Sequence, residues 1–309
     1  MLTNLFSKSS YLASIISYIY LIGVLIFKIR ENHNYQIDEF SLIEYLVFIA
    51  LFIILLEAYN RWISHSAKND GINTSERSIN HLILFPIIVS FMPSEIIKIE
   101  WILGVYFLFI AYKKYSLLLD NTKDKDLIKT GIFMSFSIMF TPYFIVYLIL
   151  MLVRSVATGK FILSKSVALI LPSVITYFLA LTINTFSTIK LPFYKFINSQ
   201  KDFFSQITDN FQGVCLIILS LIALLMILFV KKKKLYKLER NTHAGRIVVF
   251  IVHLLLISFI KSPETLIILT ASILYGLELL IRVTEKNILK ESFLATILFF
   301  SFWNIYLSF

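Results

Sequence analysis

Apolar residues in this chain fall into runs of 13 to 23 residues, which are separated by polar segments rich in lysine, arginine and turn-forming residues. The clearest run is 214–230, where Ser220 is the single polar side chain and four lysines follow directly at 231–234. A helix needs about 20 residues, at about 1.5 Å of rise each, to cross about 30 Å of hydrocarbon. With a few flanking residues, this run predicts a transmembrane helix.

The same pattern predicts an all-α fold, a polytopic helical membrane protein with about eleven transmembrane helices in one integral-membrane domain over 1–309. The predicted spans cover 11–27, 42–59, 79–91, 97–119, 127–140, 142–157, 166–186, 214–230, 247–260, 265–281 and 293–307. Three of the connecting turns contain Pro93, Pro142 and Pro263. These prolines either cap helices at the membrane surface or interrupt spans at a transporter's substrate site.

The lysine block at 231–234 predicts the direction of every span, because short loops rich in Lys and Arg stay in the cytoplasm. Alternation from that block puts the N-terminus inside and the C-terminus outside. The segments that become cytoplasmic then hold 22 of the 29 Lys and Arg residues. The first apolar run is followed by no small-residue cleavage site, so we expect a retained signal-anchor.

Composition agrees with a chain that lies mostly in lipid. The sequence is 58% hydrophobic, contains 29 Phe and has a mean hydropathy of +0.81, which is too apolar for a water-soluble domain. The formal charge of +10 is explained by the cytoplasmic loops, so no nucleic-acid partner is expected. Cys215 is the single cysteine, which excludes an intramolecular disulfide.

Common catalytic signatures are absent from the sequence. It contains no HExxH, no paired CxxC and no GxSxG, and Thr158-Gly159-Lys160 lacks the first glycine of a phosphate loop. We therefore expect no cofactor and no dedicated metal site. Whether the chain is an enzyme stays open at this point.

One acidic pair, Asp38-Glu39, lies at the predicted outer mouth of the second span. A carboxylate there can deprotonate an acceptor hydroxyl or hold a divalent ion, so both residues are candidate catalytic groups. The pair also suits a helix N-terminus, where carboxylates complement the helix dipole.

The outer segment 187–210 carries apolar residues near one helical face, among them Phe196 and Phe203. This spacing predicts a helix over 193–211 that lies in the outer interface. It could be a lid over a lipid-borne substrate, with both phenylalanines as substrate contacts, or a connector between spans.

Several polar residues fall inside the predicted spans, where a functional role is the default hypothesis. Glu57 with Arg61 and Glu278 with Arg282 have the i, i+4 spacing of local ion pairs. His253 predicts a buried imidazole with one hydrogen-bonded partner, or else a proton relay or substrate contact. Two asparagines predict hydrogen bonds between helices, and the first of them is also a candidate substrate contact: Asn184 and Asn304.

Two stretches resemble an uncharacterised multi-pass inner-membrane family of Bacteroidota. One is Lys68-Asn69-Asp70-Gly71-Ile72-Asn73-Thr74 leading into Asn80-His81-Leu82, and the other is Thr141-Pro142-Tyr143 with Leu171-Pro172 about thirty residues later. The chain has Gly159-Lys160-Phe161 in place of that family's aromatic-rich Arg/Trp loop. The resemblance implies a Gram-negative inner membrane and no particular activity.

Asp38-Glu39-Phe40, after the first span, is similar to the acidic pair of polytopic glycosyltransferases that use lipid-linked sugar donors. This resemblance implies an envelope-assembly glycosyltransferase or polymerase that acts on a polyprenyl-linked sugar at the outer face. The alternative is a non-enzymatic component, either a structural partner of other envelope proteins or a transporter of a small or lipidic molecule. Under both hypotheses the chain is a multi-pass protein of the bacterial inner membrane, with membrane lipid as a partner.

Overall fold

The computed structural model describes residues 11–35, 46–58, 80–93, 99–117, 124–157, 163–186, 211–230, 237–260, 266–284 and 286–307. These residues form eleven α-helices, one 3₁₀ turn and no strand, so the all-α prediction is confirmed for them. The helices are α1 Tyr11–Tyr35, α2 Leu46–Ala58, α3 Asn80–Ser90, α4 Ile99–Leu117, α5 Asp124–Phe140, α6 Ile145–Ala157, α7 Leu163–Phe186, α8 Phe211–Phe229, α9 Lys237–Ile260, α10 Leu266–Val283 and α11 Asn287–Leu307.

Four of these helices contain stretches long and apolar enough to cross a membrane: Tyr11–Arg30, Phe211–Phe229, Leu266–Val283 and Asn287–Tyr306. Five shorter apolar helices accompany them within the part of the chain that the structure describes: Leu46–Ala58, Glu100–Tyr112, Pro142–Val153, Ser166–Leu179 and Arg246–Phe259. These helices are compatible with a membrane protein. The number of spans and their direction stay predictions.

The helices group into two compact units. Helices α1 to α3 and α8 to α11 form the first unit, and α4 to α7 form the second. That the whole of 1–309 forms a single domain stays a prediction.

Helix α10 is the most enclosed long helix described in the first unit. Fifteen of its eighteen residues are buried, and α3, α8 and α9 pack around it. A helix that is apolar on most sides tolerates such surroundings, because no face of it needs water. At Gly276 the backbone of α8 comes very close, since a Cβ atom there would lie 2.5 Å from Cβ of Ala223.

In the second unit, α5 packs against both α4 and α7. Ser137 of α5 donates to the carbonyl oxygen of Gly104 at 2.7 Å, and Ser173 of α7 donates to that of Gly131 at 2.9 Å. Small residues at the crossings let one helix's hydroxyl reach the next helix's backbone. Phe107 adds ring contacts, including a stacked one with Phe140 at 5.9 Å.

The predicted breaker between the fifth and sixth spans is present. Thr141 has extended backbone angles, Pro142 begins the 3₁₀ turn Pro142–Phe144, and α6 follows at once. Proline suits this first position because its fixed φ angle fits a helix start and its missing N–H would have had no helical partner there.

Two boundaries differ from the sequence prediction by eight residues or more. The first span is predicted to end at residue 27, whereas α1 continues to Tyr35. Helix α9 begins at Lys237, ten residues before the predicted start of its span. Both extensions are mainly polar, and a search for apolar runs ends where the lipid-compatible part of a helix ends.

Candidate functional site

Most of the residues predicted to carry chemistry lie outside the described parts of the chain. These are the candidate catalytic pair and the two phenylalanines of the predicted outer helix: Asp38, Glu39, Phe196 and Phe203. The predicted helix over 193–211 also lies outside, except for Phe211, where α8 begins. Asn184 lies in α7, and its side chain is not among those described. Their proposed roles stay predictions.

His253, the remaining predicted contact, lies in the middle of the apolar part of α9 and is buried. Its Nδ1 atom is 2.8 Å from Oγ of Ser272 in α10, and either group can be the donor, depending on the histidine tautomer. The imidazole is therefore buried and hydrogen-bonded, and its predicted role as a substrate contact stays a prediction. Ser272 could not be found from the sequence, because serines are frequent and this one is 19 residues away.

A partly open groove of about 160 Å³ lies between α8, α9 and α10. Its lining is formed by Leu216, Ile217, Ser220, Leu221, Leu224, Phe250, Leu254, Ile257, Leu266 and Leu269. The one polar side chain in this set, Ser220, donates its hydroxyl to the carbonyl oxygen of Leu216 at 2.7 Å. The groove therefore offers hydrocarbon contacts and little else, which suits an alkyl or isoprenoid chain rather than a sugar.

Three polar contacts tie α1 to other helices of the first unit. Tyr18 donates to the carboxylate of Glu57 in α2. Nζ of Lys28 lies 3.3 Å from Oε1 of Gln212 at the start of α8, and this lysine is only 1% exposed. A third contact joins Tyr20 to α11, so the middle of α1 is held by three helices.

That third contact belongs to a buried chain of hydroxyl groups. The oxygen atoms of Tyr20 and Ser301 are 2.5 Å apart, as are those of Ser301 and Ser90. Ser90 donates its own proton to the carbonyl oxygen of Ile87, so Ser301 donates to Ser90 and Tyr20 donates to Ser301. Asn304 completes the set by donating to the carbonyl oxygen of Ser90 at 2.8 Å, which confirms its predicted interhelical role.

Charged residues gather near the C-terminal end of α10. Glu278 is 4% exposed, and the guanidinium of Arg246 in α9 lies 3.9 Å from the ring centre of Tyr275. An arginine over an aromatic face is stabilised by the ring quadrupole, more strongly where water is excluded. The sequence had paired Glu278 only with Arg282, one turn further along the same helix.

Within the part of the chain that the structure describes, no three His, Cys, Asp or Glu side chains come together as a metal site would require. In comparisons with known proteins, no family model matches the chain, and no curated protein or solved structure matches it significantly.

Proposed function

We propose that this chain is a multi-pass inner-membrane protein of envelope assembly that acts as a glycosyltransferase or polymerase on a polyprenyl-linked sugar at the outer face. Asp38 and Glu39 are its proposed catalytic pair. The observation that carries this proposal is the course of α1, which continues to Tyr35, three residues before Asp38.

Helix α1 is longer than a membrane requires. Its 25 residues extend over about 37 Å, whereas the hydrocarbon core is about 30 Å thick. The apolar stretch Tyr11–Arg30 suffices for the crossing. The last turn of α1 would then project beyond the hydrocarbon and end three residues before Asp38, on a helix that is tied to α2, α8 and α11. Rigid support of this kind favours chemistry at a defined distance from the membrane surface.

Two contacts of the first unit support the proposed alternation of the spans. Lys28 in the second half of α1 contacts Gln212 at the start of α8, as expected for two spans that cross the membrane in opposite directions. Ser90 lies near the C-terminal end of α3 and Asn304 near that of α11, as expected for two spans that cross the membrane in the same direction. The assignment of the inner side rests on the distribution of Lys and Arg.

In the proposed reaction, one carboxylate of the pair takes the proton of the acceptor hydroxyl as that oxygen attacks the anomeric carbon and the polyprenyl-linked phosphate leaves. A general base must come within about 2.6–3.2 Å of the hydroxyl, directly or through one water, and contributes roughly 10²- to 10⁴-fold in rate. An acid pair that only complemented a helix dipole would contribute about 0.3–1 kcal/mol of stability and nothing to turnover.

The test is complementation of a strain that lacks the protein, with Asp38→Asn, Glu39→Gln and the double variant. We expect near-normal membrane levels for all three and loss of rescue for the double and at least one single variant. Glu31→Gln is the matched control, because it removes a nearby acid from the same predicted side and should rescue fully. Full rescue by the double variant would exclude the enzyme hypothesis in this form.

The alternative, a non-enzymatic component that binds or transports a lipidic molecule, is favoured by one specific observation. The groove between α8, α9 and α10 has an apolar lining whose single hydroxyl is already bonded to its own helix. The protein would belong to this second class if the variant without both carboxylates rescued the deletion strain while a variant with a bulky side chain in the groove did not.

A further inference from the structure

We propose that the aromatic side chains at one end of the first unit form a belt that lies in the head-group layer of the membrane. The belt consists of one residue at the start of α8 and four near the end of α11: Phe211, Phe299, Phe300, Trp303 and Tyr306. Its partner is the boundary between the phospholipid head groups and the acyl chains. The belt seats the protein in the bilayer, and this role does not depend on the catalytic pair proposed above.

Two helices bring aromatic rings to the same end of the unit. Phe211 is the first residue of α8, whereas Phe300 lies near the end of α11, and their ring centres are 6.0 Å apart. Phe300 contacts Phe299 at 5.9 Å, Phe299 stacks on Trp303 at 6.1 Å, and Trp303 contacts Tyr306 at 5.9 Å. The five rings therefore form one continuous surface.

This surface faces outward from the unit. Tyr306 is 70% exposed, Phe299 is 60% exposed and Trp303 is 44% exposed. Ser301 and Asn304, on another side of α11, are buried. Helix α11 thus packs into the unit through one side and presents the rings to whatever surrounds the protein.

The polar atoms of two of the rings identify these surroundings. Trp303 carries an N–H group and Tyr306 an O–H group on a large apolar body, and such side chains are enriched where hydrocarbon meets water. The middle of the hydrocarbon would offer these groups no hydrogen-bond partner, whereas water and phosphate supply one at the head groups. The chemistry of the belt therefore suits the membrane interface better than the bilayer centre.

Two further observations place this end of the unit at a membrane surface. Nζ of Lys28 lies 3.3 Å from Oε1 of Gln212, the residue after Phe211, and a lysine is costly at the centre of a bilayer but not near its surface. The exposed Lys286, just before α11, is 20 residues from Tyr306. That separation is a rise of about 30 Å, which matches the thickness of the hydrocarbon core.

The experiment measures the depth of Trp303 in a bilayer. The full-length protein is reconstituted into phosphatidylcholine vesicles whose acyl chains carry bromine near the head group, at mid-chain or near the terminal methyl group. Bromine quenches tryptophan fluorescence on contact, and the difference between the wild-type protein and Trp303→Phe isolates the signal of Trp303. We expect the largest loss of this signal with bromine near the head group and the smallest with bromine near the methyl group. The reverse order would overturn the proposal.

Moving the tryptophan along the exposed side of α11 provides the matched control. In the Trp303→Phe background, Phe299→Trp and Thr296→Trp place the indole about 6 Å and about 10 Å further along the helix. Both positions are exposed, so each variant should fold. The strongest quencher should change from bromine near the head group to bromine at mid-chain as the indole moves. An order of quenching that is the same at all three positions would contradict the belt.

Two other outcomes would assign the belt to a different partner. If no brominated lipid quenches Trp303, protein rather than lipid covers the rings. The second outcome is a disulfide between two copies of the chain, formed by Trp303→Cys in a background where Cys215 is replaced by alanine. Efficient formation of that disulfide in the vesicles would make this surface a dimer interface and would overturn the proposal.

Discussion

Glycine decides how closely two helices of the first unit approach. A Cβ atom at Gly276 of α10 would lie 2.5 Å from Cβ of Ala223 and 2.6 Å from its Cα and carbonyl oxygen. These are mainly backbone atoms, which cannot move away as a flexible side chain would. Gly23 of α1 has the opposite surroundings, because a Cβ there would meet nothing within 4 Å.

We expect Gly276→Ala to destabilise the protein by about 1–3 kcal/mol, the usual cost of overpacking, although alanine has the higher helix propensity. Gly23→Ala is the control and should be neutral or stabilising by up to about 1 kcal/mol. Thermal unfolding of both variants in one detergent measures the difference. If Gly276→Ala were as stable as Gly23→Ala, the close approach of α8 and α10 would be wrong.

At the scale of elements, polar side chains join apolar helices at a few positions. Helix α1 contacts α2 through Tyr18, α11 through Tyr20 and α8 through Lys28. Without a hydrophobic driving force between helices in lipid, such hydrogen bonds and close packing hold helices together, at about 0.6 kcal/mol on average per bond. The chain of hydroxyls at Ser301 joins α1, α3 and α11 at once.

Ser301→Ala should lower stability by about 1 kcal/mol, because it removes the acceptor of Tyr20 and the donor to Ser90 in a fully buried place. Thr296→Ala, on the same helix, should have almost no effect, since Thr296 is exposed and bonds only to the carbonyl oxygen of Ser292. A double-mutant cycle with Tyr20→Phe should show coupling between Tyr20 and Ser301. Equal losses for Ser301→Ala and Thr296→Ala would remove the hydroxyl chain as a stabilising element.

At the scale of the whole molecule, the central hypothesis is a chain that crosses the membrane eleven times with its N-terminus inside. The eleven described helices match the eleven predicted spans in order, and four of them have the length and apolarity to cross by themselves. Helix α9 is one of the shorter apolar helices, and its polar start at Lys237 extends it to 24 residues.

The predicted membrane topology is tested with single cysteines in a background where Cys215 is replaced by alanine. The cysteines are placed at Asn34, Lys125, Asn198 and Lys233. A membrane-impermeant maleimide added to intact spheroplasts should label only Asn34→Cys and Asn198→Cys. Permeabilised cells are the control, in which all four sites should react. Labelling of Lys233→Cys from outside would invert every span, because the other assignments were derived from that block.

The candidate site was predicted in part. His253 could be predicted to be buried, because an imidazole in the middle of an apolar run has no water to face. Three other features could not be predicted, because each joins residues whose spacing in sequence carries no signal. They are the bond of His253 to Ser272, the contact of Tyr18 with Glu57 and the groove beside α9. The pairing of Glu278 with Arg282 was local in sequence and missed Arg246 of α9, which lies over the ring of Tyr275.

The helical class, the order of the elements, the break at Thr141-Pro142 and the apolar character of the long helices could be predicted from the sequence. These follow from the lengths of apolar runs and from proline, which act over a few neighbouring residues. The tertiary structure alone decided which helices meet, where Gly276 lets two backbones approach and how the groove forms. The physical reason is that lipid makes every apolar face equally acceptable, so the choice of partner depends on small residues and single hydrogen bonds that only the folded chain brings together.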